Sequence, residues 1–400
     1  MAVIDTDLAE IVGRVKVGPR PIHAYAVPWR NEFWTHPDGR GEFDVIHCDN
    51  IFEVDAERIQ ANVDTASGHG KLLVHPELGD TAYATNTQEP YMFEIDLEAK
   101  ELVRAHPLGG AEMCRGLHAI EYSPINKHLF GECTGGGGII EFDVNVDSVV
   151  HQWLDETGAL YESPDGGFIV SANKGGSLFH ILQPQENGAR STKQYKDILI
   201  PNPGSPVFYP NGEFTDDEGV TFQDYLLFTP LINNPSSNFI ACEYADDGQS
   251  LRVDEFTGEV VTPDCGSCNP DPQYDGLNSG FAVFDLKDLE VHDGESNDAT
   301  DVEPLLISAG GVEPTGPYPY SPECGYGRTY RKASRGGKWI VTGADFDFSG
   351  EPALAIVDAD ARALHGFVPL ASKPGTITFV PSEKGLEFNS IFFSGGANDD

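Results

Sequence analysis

The chain has 400 residues, with 64 Asp and Glu against 25 Lys and Arg, a formal net charge of -39 and a pI near 4.4. A field of that sign repels phosphate backbones and anionic lipid head groups, which argues against nucleic acid and membrane surfaces as partners. The sequence also lacks the run of roughly 18 apolar residues that a membrane-spanning helix needs.

Short runs of alternating apolar and polar residues, bounded by Gly, Pro, Asn and Asp, predict strands throughout, and no window keeps a helical period for three turns. Met1–Gly18 reads as two strands with a turn after Ile4-Asp5-Thr6. A first unit follows through Ile22–Pro28, Glu32–Pro37, Gly41–Cys48 and Arg58–Asp64. The second takes Gly70–Pro76, Thr81–Thr87, Tyr91–Asp96 and Glu101–Pro107. The third takes Leu117–Pro124, His128–Cys133, Ile139–Val144 and Val149–Leu154, and the fourth Ala159–Pro164, Phe168–Ala172, Ser177–Leu182 and Tyr195–Ile200. A fifth begins at Pro206–Pro210 and Tyr225–Thr229, but its outer strands wait until Phe281–Asp285 and Glu303–Ile307. The sixth is Arg328–Ala333, Lys338–Thr342, Ala353–Asp358 and Ala363–Pro369, and the chain ends in a hairpin, Gly375–Gly385 and Glu387–Ser394.

These units recur at a period of about 45 residues, in the range of four-stranded propeller blades. The opening strands lack inner partners and the closing hairpin lacks outer ones. Joining the two halves removes both exposed edges. The expected fold is therefore all-β, a seven-bladed β-propeller over 1–400 as a single domain, its last blade built from both termini. Residues 230–278 interrupt the fifth unit, rich in Asn, Pro, Asp and Gly, with a hairpin expected at Phe239–Tyr244 and Leu251–Phe256. A connection of that length in a compact domain is functional or decorative, and a lid is one reading.

Lys71-Leu-Leu-Val-His-Pro-Glu-Leu-Gly-Asp-Thr-Ala-Tyr-Ala-Thr-Asn86, followed by Phe93-Glu-Ile-Asp-Leu97, resembles the blade repeat of YVTN-type, lactonase-like propellers. Met1–Gly18 is similar to the second half of that repeat and Ser163–Asn173 to the first. The resemblance implies seven blades around a central channel. It implies function only weakly, since relatives of this type include lactonases, metal-site oxidoreductase domains and binding scaffolds.

Candidate site residues gather at one rim. His23, His69 and His118 stand at or just before the first strands of three successive units. Converging there, three imidazoles would suit a transition metal such as Cu, Zn or Fe. Each could equally satisfy backbone groups in its own loop. Comparable positions offer Glu156, Arg328 and Lys373 as ligand-binding groups. Of seven cysteines, Cys114, Cys133, Cys242, Cys265, Cys268 and Cys324 fall on this rim or in the insertion that leaves it, with Cys48 elsewhere. The odd number argues against a complete disulfide framework. Cys265-Gly-Ser-Cys268, with Cys242 and Cys324, suggests either a disulfide that ties the insertion or a metal thiolate. Glu121 and Glu132 are carboxylates available to a cation, though single acids carry little weight here. Gly135-Gly-Gly-Gly138 lacks the helix N-terminus of a phosphate loop, so it reads as a flexible rim loop or a close backbone approach.

No nucleophile elbow, zinc-protease helix or phosphate loop occurs. Three functions stay open: a ligand- or metal-binding propeller with a redox role, an enzyme of lactonase or lyase type, and a noncatalytic protein-interaction scaffold. Expected partners are a small molecule, a cation or a protein. No leader precedes the first strand, so a soluble, cytoplasmic rather than exported protein is expected. The dispersed acid excess suits solvation in high salt or contact with cations.

Overall fold

The computed structural model describes residues 2–5, 8, 10–17, 21–37, 43–47, 57–59, 70–134, 136–154, 158–173, 178–186, 188–195, 206–215, 219, 221–230, 240–244, 250–254, 260–262, 281–285, 326–333, 339–344, 353–359, 363–370, 377–380 and 390–393. Among them, regular structure is β except for two single 3-10 turns, Pro28–Arg30 and Pro76–Leu78. The strands form six four-stranded and two three-stranded antiparallel sheets.

The first sheet holds Pro21–Val27, Glu32–Pro37, Phe43–His47 and Glu57–Ile59, in chain order from edge to edge. The second holds Leu72–Leu73, Thr81–Ala84, Tyr91–Asp96 and Glu101–Pro107. The third is Leu117–Ser123, His128–Cys133, Ile139–Asp143 and Ser148–Trp153. The sixth is Tyr326–Ala333, Trp339–Ala344, Ala353–Asp358 and Ala363–Pro369. The sheet made by the two ends runs Ile377–Val380, Ser390–Phe393, Ala2–Asp5 and Glu10–Arg14, with Val3 paired to Phe392.

The fourth sheet, Ala159–Glu162, Ile169–Asn173, Leu178–Gln185 and Gly188–Tyr195, departs from expectation in its last strand. The sequence reading placed that strand at Tyr195–Ile200. Instead the third strand runs on to Gln185, and Gly188, at φ 120°, turns the chain back with Gln185 opposite Gly188. Asn187-Gly188 is a strong hairpin signal that the periodic reading overrode.

In the fifth sheet, Val207–Thr215 and Thr221–Pro230 are joined by Phe281–Asp285, which pairs with Thr221–Pro230 from Leu226 to Pro230. The expected Glu303–Ile307 strand lies outside the described residues. Between those strands in the chain, Ile240–Tyr244, Ser250–Asp254 and Val260–Thr262 make a separate sheet, one strand more than the expected hairpin.

A bulge recurs between the third and fourth strands, at Leu102/Arg104, Glu141/Phe142, Ile181/Leu182 and Ile356/Val357. The sheet made by the two ends has it between Val3 and Ile4, in its own third and fourth strands. A bulge there bends and twists the outermost strand, which makes that edge a poor template for another chain. The Asp that closes many third strands also has a local cause. Asp96 Oδ1 accepts from the Glu98 and Ala99 amides at 2.8 Å, and Asp143 Oδ1 from Asn145 at 2.8 Å. Both carboxylates thus build the turn into the fourth strand.

Sheets pack face to face. Val27, Trp34, Phe43 and Val45 of the first meet Leu72, Ala82, Ala84 and Ile95 of the second. Leu73, Tyr83 and Met92 meet Leu117, Ile120, Leu129 and Phe142 of the third, and Ala119, Phe130 and Ile139 meet Leu160, Ile169 and Leu182 of the fourth. Ile4 joins Val341, Leu354, Ile356 and Val368 of the sixth. Because both faces are covered, strands such as Ile139–Asp143 are buried almost continuously rather than alternately. Each fully buried aliphatic or aromatic side chain contributes on the order of 1.5–3 kcal/mol.

Candidate functional site

At the start of Leu117–Ser123 the second and third sheets are knitted together. The Leu117 amide donates to Asn86 O at 2.7 Å, Thr85 Oγ1 to His118 O at 2.8 Å, and Thr134 Oγ1 to Thr87 O at 3.0 Å. Gly116 is obligatory there, since a Cβ would lie 2.0 Å from Thr87 O. On this frame His118, one quarter exposed, places Nδ1 2.9 Å from Glu132 Oε2. An ionised carboxylate only accepts, so in this pair Nδ1 carries the hydrogen and neutral His118 has its lone pair at Nε2.

Beside this pair, Cys114 and Cys133 form a buried disulfide with Cα atoms 5.2 Å apart. The sequence had put both on this rim without pairing them. The neighbouring glycines are a close backbone approach: a Cβ on Gly137 would lie 2.3 Å from Met113 O, and one on Gly138 1.7 Å from Trp153 O. Gln152 Nε2 closes the joint by donating to Met113 O at 3.0 Å and Gly137 O at 2.6 Å.

Of the other expected rim groups, His23 is buried on the first strand of the first sheet, opposite His36 and 6.1 Å from the Tyr25 ring. Arg328 stands on Tyr326–Ala333 and Cys242 on Ile240–Tyr244. His69, Glu156, Lys373, Cys265, Cys268 and Cys324 lie outside the described residues. Among the described residues, no three His, Cys, Asp or Glu side chains are grouped to hold a metal ion.

The opposite ends of the first strands carry a second polar cluster, of which the sequence pointed only to Glu121. Glu162, with 13% of its side chain exposed, sits where burial and then the charges of Glu121, Asp165 and Glu77 push its carboxyl well above the usual range. His75 Nε2 is 3.9 Å from Glu162 Oε1, and its ring centroid is 4.8 Å from that of Tyr122. Burial lowers His75, with Glu77 opposing. Burial, then Glu77 and Glu162, raises the Tyr122 hydroxyl.

Charge pairs also cross the seams between sheets. His106, fully buried, lies between Glu94 Oε2 at 2.9 Å and Asp147 Oδ1 at 2.5 Å, the latter on the third sheet's outer turn. Lys100 reaches back from the second sheet to buried Glu32 at 3.6 Å, and Arg30 reaches forward to Asp80 at 2.8 Å. Lys100 and Arg30 thus sit at the joint between the first and second sheets. Within the third sheet, His128 is held between Glu141 at 2.7 Å and Asp143 at 3.4 Å.

No protein-family model matches the chain, and no curated protein matches it in sequence. Among solved structures, the β-propeller domain of Cps50 (Swd1) from Myceliophteria thermophila is similar at TM-score 0.51 and 10% identity, over 96% of this chain and 98% of that one. That likeness gives the fold as a β-propeller. Hydrazine synthase from Kuenenia stuttgartiensis matches at TM-score 0.49 and 15% identity, over 92% and 91% of the two chains. Dihydro-heme d1 dehydrogenase NirN matches at TM-score 0.47 and 14% identity, over 92% and 72%.

Proposed function

We propose that the chain is one seven-bladed propeller of the YVTN type, with an insertion over 230–278, that binds a small ligand or metal at the rim bearing His118. The repeated outer bulge supports the blade assignment, because it recurs in the sheet shared by the two ends. Neighbouring first strands support a ring. Leu117–Ser123 lies beside Leu72–Leu73 and Ala159–Glu162, while Ile377–Val380 lies beside both Tyr326–Ala333 and Pro21–Val27.

The observation that carries the binding reading is the His118–Glu132 hydrogen bond. A carboxylate that fixes one imidazole nitrogen and orients the other is the arrangement found behind ligating histidines. The His118 pair fits one donor of a metal site, and among the described residues no group of three His, Cys, Asp or Glu side chains completes it. The metal form of the reading therefore depends on His69 and His23 joining His118, with Glu156, Arg328, Lys373 and the insertion's cysteines around them. A bound Zn, Cu or Fe would supply Lewis acidity or electron transfer there. The chain's own part is to hold His118 in one tautomer on a rigid rim.

Calorimetric titration of the metal-free protein with Zn2+ and Cu2+ tests this. Binding near one equivalent, lost in His118→Ala and weakened by about 10–100-fold in Glu132→Gln, supports the metal form. Binding unaffected by either variant, or none at all, overturns that form and favours a scaffold.

A further inference from the structure

The carboxylate cluster at the other channel end joins three sheets. Glu162 ends the first strand of the fourth sheet, Glu121 and Tyr122 stand near the end of the third sheet's, and His75 and Glu77 belong to the turn after the second sheet's. His75 therefore reaches past the third sheet to within 3.9 Å of Glu162, with Tyr122 against its ring. The third–fourth joint leaves little slack. Ser123 Oγ donates to Gly166 O at 3.2 Å, and a Cβ on Gly166 would lie 2.2 Å from Pro124 Cδ. Asp165 is held by Ser163 Oγ at 2.7 Å, so its charge stays beside the cluster.

We propose that Glu162 is a proton-operated joint, which holds the second, third and fourth sheets together when protonated and forces them apart when ionised. Protonated, it adds no charge to Glu77, Glu121 and Asp165 and can donate a hydrogen bond. Ionised, it is a fourth negative charge in a half-enclosed space, and its proton leaves to solvent. Burial lowers the His75 imidazole, which weakens its power to neutralise an ionised Glu162. Among the described residues, Tyr122 feels the Glu162 charge, and Tyr225, whose hydroxyl is raised by burial and then by Asp165, hydrogen-bonds that Asp165.

Glu162's carboxyl is raised in the folded chain relative to about 4.3 when unfolded. The stability linked to it is thus fully present below that unfolded value and lost as pH rises through the folded one. The test is the melting temperature of the full chain from about pH 4 to pH 9, in wild type, Glu162→Gln and Glu121→Gln. Glu162→Gln should match wild type at the acid end, melt a few degrees higher at the alkaline end, and flatten the difference between them. Glu121→Gln removes one repelling charge and should flatten it partly, which keeps the test open if Glu162→Gln fails to fold. A Glu162→Gln protein that melts at or below wild type at alkaline pH overturns the proposal. So does an unchanged slope in Glu121→Gln.

Discussion

Cys114 is bonded to Cys133 across the mouth of the third sheet's first hairpin, a bond that closes a sequence separation of 19 residues. Leu117 is the register partner of Cys133, so the bond ties the last ladder position to the chain just before the first strand. A cross-link over a loop of this size removes on the order of 3 kcal/mol of unfolded-state entropy. Replacing both cysteines by serine should cost about 2–4 kcal/mol in denaturant unfolding, and wild type unfolded with a dithiol present should match the variant. Equal stability with and without the bond would show that the rim is held by its backbone hydrogen bonds alone.

The repeat was legible because its punctuation has local causes. Tyr91–Asp96 and Ala353–Asp358 were placed to the residue, since a closing Asp builds the next turn. The fourth sheet's last strand was misplaced because strand spacing was weighed above Asn187-Gly188. The carboxylate cluster was hidden by composition, since any one acid among 64 lacks contrast. A signal existed nonetheless: Ile120-Glu-Tyr-Ser-Pro124 and Leu160-Tyr-Glu-Ser-Pro164 set an acid just before the same turn in successive units. His118 was named from its place on the first strand. Its partner Glu132, noted only as a possible cation ligand, proves to orient it from the neighbouring strand, a relation that needs register rather than spacing.

His106 should be the strongest single tie between the second and third sheets. It is fully buried, with Glu94 and Asp147 on either side and the Tyr83 and Phe142 rings around it. His106→Ala removes a packed ring and leaves Glu94 without its imidazole, for a loss of about 2–3 kcal/mol after allowance for the partners' exposure. The hydrogen bond from His106 holds the Asp147 carboxyl below its usual value. That stability is present above the unfolded value and lost as acid titrates the folded group. Asp147→Asn should therefore lower the melting temperature at neutral pH and leave it unchanged once acid has protonated the folded carboxyl. A deficit that persists in acid would assign the effect to packing.

Met1–Gly18 supplies two strands to the sheet shared by the ends, with Ala2–Asp5 paired along Ser390–Phe393. Deleting it leaves Ser390–Phe393 as an apolar edge, and exposed edges of this kind recruit other chains. Light scattering should report association, together with loss of a single cooperative melt. A monomer with an unchanged melting temperature would contradict the shared sheet.

The binding account rests on His118 Nε2, and selective imidazole labelling reads that atom directly. In 15N-histidine protein, with His118 assigned through the His118→Ala spectrum, the account predicts the hydrogen on Nδ1 and none on Nε2. It also predicts that Zn2+ shifts the Nε2 resonance while Nδ1 keeps its hydrogen bond to Glu132. A Zn2+ titration that leaves both His118 nitrogens unmoved while other histidines respond would contradict it.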